Sequence, residues 1–152
     1  MAQVRANSKK KVLQQLSAHA AGLTDVSEAE ILNALLEREQ LGSTGVGHGV
    51  AIPHARLDTI DCVYSVFARL VAPVDFDSVD DHPVDLVFLL LAPKGASVDH
   101  LKALHRVSRL MREKSLRTKL RGARDANALY ALLTNAEEYK EFSMDRVHSK
   151  AS

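Results

Sequence analysis

The chain has 152 residues, a length for one domain, and with 46% apolar and 26% charged residues it can build a core. Twenty Lys and Arg against nineteen Asp and Glu leave a formal charge of +1, which argues against a dedicated nucleic-acid binder. The single cysteine, Cys62, excludes an internal disulfide and a multi-cysteine zinc site, and no apolar run reaches the ~18 residues that would insert in a membrane.

In chain order, Met1 to Asn7 has no apolar stretch of signal-peptide type, so a cytoplasmic location is expected. Ser8 opens a helical pattern with Val12, Leu13, Leu16 and Ala20 on one face, and Gly22 is expected to close it. Lys9, Lys10 and Lys11 crowd its first turn against the helix dipole, as a solvated basic end or as a docking patch for an acidic partner. A second helix starts at Ser27, with Glu30 at capping-box spacing and Ile31, Leu32, Leu35 and Leu36 as its buried stripe. Four glycines then crowd residues 42 to 49, and Val50 to Ile52 reads as a short strand ended by Pro53. Residues 62–72 are rich in strand formers. Residues 84–92, between Pro83 and Pro93, are almost continuously apolar, as in a strand buried on both faces. Helices must therefore cover both sides of the sheet, giving three layers. Ser97 caps a third helix carrying Val98, Leu101, Leu104, Val107 and Met111. A fourth runs from Ser115 to Gly122, and Asp125 caps a fifth with Leu129, Leu132 and Leu133. Residues 137–152 read as a polar, frayed tail after a domain over 1–136.

Seven histidines are the compositional oddity, and they direct the search for chemistry. The glycine segment fails two phosphate-loop tests. It holds no lysine between residues 42 and 56, as a P-loop requires, and it leads into a strand where a dinucleotide fingerprint needs a helix. It remains a flexible backbone whose amides, at Gly45, Gly47 and Gly49, can point at an anion. Pro53 holds Ile52 extended, so His54 is presented at a defined place. A neutral imidazole there is either a nucleophile toward phosphorus or simply a strand-end histidine. His100 falls in the first turn of the third helix, where the dipole disfavours imidazolium and favours a bound anion; it also borders the apolar stripe through Leu104, so it is expected to face the sheet. It either donates to a phosphoryl oxygen or bonds a backbone carbonyl. His48, His54, His100 and the Asp80-Asp81-His82 run lack the spacing of a zinc motif, and no Gly-x-Ser-x-Gly elbow occurs, so neither metal nor serine chemistry is expected.

The segment Arg38-Glu-Gln-Leu-Gly-Ser-Thr-Gly-Val-Gly-His-Gly-Val-Ala-Ile-Pro-His54 resembles the signature of enzyme IIA domains of the bacterial phosphoenolpyruvate phosphotransferase system, of the fructose/mannitol type and most of all its nitrogen-regulatory branch. Asn7 to Leu13, Pro83 to Pro93 and Asp99-His100-Leu101 agree, so the likeness runs from about residue 5 to about residue 135. The resemblance implies that His54 is the phosphoryl acceptor, with a tele-phosphohistidine as the expected product. It implies that His100 supports the phosphoryl group, that Arg38 lies near it, and that Ser43 and Thr44 line the same loop. It implies an α/β fold, an α/β/α sandwich with a mixed sheet of four or five strands. It implies an HPr-like donor, either regulatory targets or a sugar-permease IIB domain as the next partner, and no cofactor. With no IIB or IIC segment in the chain, the regulatory role is the expected one.

Two departures stand out. Ala55 replaces the glycine common in Ile-Pro-His-Gly, at ~1 kcal/mol if that position needs a positive φ. Only seven residues precede Ser8, fewer than in such domains, so an initial helix and part of an edge strand are expected to be missing.

Overall fold

The computed structural model describes residues 1–95 and 97–135; the tail expected over 137–152 lies outside them. Two helices, α1 (Lys9–Thr24) and α2 (Glu28–Gln40), precede the strands β1 (Gly45–Gly47), β2 (Val50–Ala51), β3 (His54–Leu57), β4 (Tyr64–Val74) and β5 (Val84–Pro93). Three helices follow: α3 (Ser97–Met111), α4 (Lys114–Gly122) and α5 (Ala126–Asn135). Ser8 caps α1 by accepting from the Lys11 amide, and Ser27 caps α2 by accepting from Glu30. Gly22 does not close α1. The helix continues to Thr24 because Leu23 still packs on the core, and Asp25 ends it in the left-handed conformation at φ 61°. Asp125 caps α5 as expected, through the Ala128 amide.

The sheet is mixed. β5 lies at its centre, antiparallel to β4 on one side and parallel to both β2 and β3 on the other. Ala51 pairs with Val87 and His54 with Leu90, the same offset, so β2 and β3 are two halves of one line interrupted at Ile52-Pro53. Pro53 has no amide to donate, yet its carbonyl accepts from Leu90, and the line runs through it. The strand from Val50 stops before Pro53, as expected, but His54 opens a second strand half that the sequence reading did not include. β1 was not foreseen either. The glycine segment folds back on β2 as a hairpin whose tip, His48-Gly49, has positive φ at both residues (57° and 76°), the backbone of a tight primed turn. At the outer side of β4, Val4 bridges Leu70, and the Val4 amide donates to the Arg69 carbonyl.

Side chains alternate across the central line. Ala51, Ala55 and Leu57 join Leu13, Leu16, Ile31 and Leu35 beneath α1 and α2. Val50 and Ile52 join Leu90, Ala103, Val107 and Leu120 beneath α3, α4 and α5. The sheet is buried on both faces, as the almost continuously apolar run of β5 foretold, and the α/β fold in three layers follows. Among the described residues no helix is long and apolar enough to cross a membrane.

Candidate functional site

His54 lies half-buried at the start of β3. Its Nδ1 is 2.8 Å from the Ile52 carbonyl, and Arg38 Nε stands 3.1 Å from its Nε2. A guanidinium can only donate, so Nε2 accepts and Nδ1 carries the proton that Ile52 receives. The two contacts select one tautomer, with its lone pair on Nε2. Arg38 comes from the last turn of α2, and its Nη1 also donates to the Gly42 carbonyl, which anchors the guanidinium where the helix ends.

His100 comes from the opposite layer. It is the fourth residue of α3 and only 5% exposed, and its ring centroid is 5.4 Å from that of His54 at a tilt of 50°. Its Nδ1 is buried with no hydrogen-bond partner among the described residues. The helix begins at Ser97 itself, where that serine was expected as the cap. The buried face also differs. Val98 and Leu101 are each 64% exposed, whereas Ala103, Val107, Leu110 and Met111 are buried. Helical spacing from position 100 passes through 103, 104 and 107, so the imidazole lies on the sheet side, as its place one turn before Leu104 led one to expect, whereas Leu101 does not.

Both imidazoles are held neutral. Burial pushes the His100 pKa down to about 4, with further depression from neighbouring His54 and Arg56. Burial also lowers His54; the Ile52 hydrogen bond offsets part of that, while Arg38 and Arg56 reinforce it. The pair thus offers a free lone pair on His54 beside a neutral potential donor, with cations close by.

Three amides of the 43–49 segment are engaged elsewhere. Thr44 gives its amide and hydroxyl to the Glu39 carboxylate, Gly45 donates to Ser43 Oγ, and Ser43 Oγ donates to the Phe76 carbonyl. The His48 amide goes to Asp80. Ser43 and Thr44 lie at the end of the hairpin near Ile52, whose amide donates to the Thr44 carbonyl. Gly47 and Gly49 lie toward the other end. Gly49 is five residues back from His54 on a line rising about 3.3 Å per residue, ~16 Å away. The glycines serve packing. A Cβ on Gly45 would fall 2.2 Å from Ser78 Oγ, and one on Gly49 would fall 2.5 Å from Arg121 Nη2. The feared strain at Ala55 is absent too; it is an extended, buried strand residue paired with Leu91.

Two residues near the site went unnoticed in the sequence, and a third, Lys9, reads there as part of a solvated basic end or a docking patch. Glu39 is nearly buried and meets Lys9 Nζ at 2.7 Å, so Lys9 is a clamp and not part of an exposed basic end. Arg56 stands two residues beyond His54 on the same strand face, a relation that the strand period of two could have exposed had β3 been foreseen. Among the described residues, no three His, Cys, Asp or Glu side chains gather to hold a metal ion.

Residues 1–136 match the family model described as phosphoenolpyruvate-dependent sugar phosphotransferase system, EIIA 2. The chain is 54% identical over 130 residues to a nitrogen regulatory protein of Bradyrhizobium diazoefficiens, covering 86% of this chain and 85% of that one. It is 39% identical over 118 residues to a fructose-specific EIIA component of Haloferax volcanii, covering 78% and 76%. Its fold is similar to the crystal structure of the nitrogen regulatory protein IIA-Ntr from Neisseria meningitidis, with a TM-score of 0.82 at 34% identity over 86% of this chain and 90% of that one.

Proposed function

The chain belongs to the phosphoenolpyruvate-dependent sugar phosphotransferase EIIA 2 family, and on that premise we propose that it is a phosphocarrier of the nitrogen-regulatory branch, charged on Nε2 of His54 by the phosphohistidine of an HPr-like protein. The observation that carries this is the tautomer: Ile52 takes the Nδ1 proton, and the lone pair of Nε2 faces outward to Arg38.

In the proposed transfer, Nε2 attacks phosphorus in line as the donor's N–P bond breaks, and the bond pair stays on the donor nitrogen. His54 keeps its Nδ1 proton, so its ring becomes a cation steadied by the Ile52 carbonyl, and no proton needs to cross. Arg38 gives up the lone pair and turns its N–H groups to the phosphoryl oxygens. His100 has Nδ1 sealed off, so a proton on Nε2 is the one it can offer to the same group. Positioning and charge stabilisation then carry the rate, without a nucleotide or a metal. The phosphoryl group carries about −2 charges against the cation on the ring, a net gain of about −1 at His54, and a partner that covers the free histidine must now desolvate a charged phosphoryl group. Phosphorylation thereby selects partners without refolding the domain.

Phosphoenolpyruvate with the general phosphotransferase enzymes should place one acid-labile phosphate on the chain, and His54→Ala should abolish it while remaining folded. Full labelling of that variant would end the assignment. Calorimetry of partners captured on His54→Ala and His54→Glu baits tests the regulatory half, which fails if both forms and the phosphoprotein bind alike. The likeness to a fructose-specific EIIA component supports a second reading, a step to a sugar-permease IIB domain. Rapid loss of label to such a domain would favour it.

A further inference from the structure

We infer that Arg56 is a phosphoryl-binding residue, free in the unmodified protein and recruited as a second guanidinium by the phosphate on His54. This rests on the phosphocarrier reading above and extends it to a residue outside the signature.

Three observations converge on it. The first is placement. His54 pairs with Leu90 and Arg56 with Ala92 in one unbroken register, so both side chains leave the sheet on the side of α3, about 6.6 Å apart along the strand. That is within reach of a flexible arginine and brings its fork toward any group bonded to His54. The second is availability. Arg56 is exposed and has no hydrogen bond or ion pair among the described residues. Arg38, Arg69, Arg117 and Arg121 are by contrast all committed, to Gly42 and His54, to the end of α4, to the Met111 carbonyl and to Asp85 respectively. The third is electrostatic: the Arg56 charge acts on both imidazoles, opposing protonation of each.

A phosphoryl group has three oxygens to satisfy. Arg38 comes to it from α2 and His100 from α3, while Arg56 comes from the strand that carries the histidine. A guanidinium binds two phosphoryl oxygens at once, which an ammonium cannot do. Arg56 therefore favours the dianion over the free imidazole and lengthens the life of the charged form.

The test compares the parent chain with Arg56→Gln, Arg56→Lys and His54→Ala, each charged with phosphoenolpyruvate and the general enzymes. Acceptance rate, hydrolysis half-life and the phosphorus NMR titration of the phosphohistidine are followed. Loss of a charge-assisted bond predicts roughly tenfold slower acceptance or a shorter half-life in Arg56→Gln. The phosphoryl group should also ionise at higher pH in that variant, and Arg56→Lys should recover only part of each effect. An Arg56→Gln protein with the parent's rate, half-life and titration overturns the inference while leaving His54 as acceptor. A parent that takes no label, or a His54→Ala that takes full label, overturns the phosphocarrier reading itself.

Discussion

Lys9 and Glu39 join the start of α1 to the end of α2 at 2.7 Å, with the carboxylate 6% exposed. The same carboxylate receives the amide and hydroxyl of Thr44. One acidic side chain thus holds both helices of one layer and the entry to the hairpin, immediately beside Arg38.

Replacing Glu39 by Ala should be costly, because it leaves Lys9 with only the longer contacts to the Phe76 carbonyl and Asp77 and strands the Thr44 donors. Breaking one side of a buried pair costs about 3 kcal/mol or more. Urea unfolding measures it, and a loss below about 1 kcal/mol would show the clamp to be incidental.

His100→Ala should still accept phosphate but about 10²–10³ times more slowly, the scale for losing one pre-organised donor. Parental kinetics in rapid-quench labelling would reduce His100 to a packing role.

The depressed pKa values of the two histidines set a pH signature. Unfolded, each imidazole binds a proton near pH 6.5, while folded His100 does so only near pH 4. The unfolded state thus holds more protons in between. Stability is full above pH 6.5 and falls as pH drops toward 4, by at most ~1.4 kcal/mol per unit for one such group. His54 adds in the same direction. His100→Gln should flatten the stability profile in that window, which chemical unfolding at stepped pH would reveal.

Gly49→Ala should destabilise the fold by about 1–3 kcal/mol, since it forces a side chain into positive φ and against Arg121. Labelling of His54 should persist at the parental rate. A selective loss of labelling with stability intact would return the hairpin tip to the phosphate site.

The layers, the helices and the two histidines were legible because each leaves a periodic or local trace. β5 is almost continuously apolar, Ser27 and Asp125 are caps, and His54 follows a proline. What escaped depends on tertiary packing. The glycines read as an anion loop because their spacing cannot show that Ser78 and Arg121 crowd them. His100 was expected to face the sheet and does, but Val98 and Leu101, counted in the apolar stripe, are exposed. Lys9 looked solvated because its partner lies thirty positions away, on another helix.

The shared register of β2 and β3 bears on how the chain can evolve. Side chains on a strand alternate, so adding or deleting one residue between Val50 and His54 would turn His54 and Arg56 toward α1 and α2, away from His100. Substitutions at Ile52 or Pro53 change the fit of a link, whereas an insertion or deletion there removes the acceptor from its site. Length variation in this gene should therefore collect in the surface loops and be purged from the stretch between Val50 and His54, however freely its composition drifts.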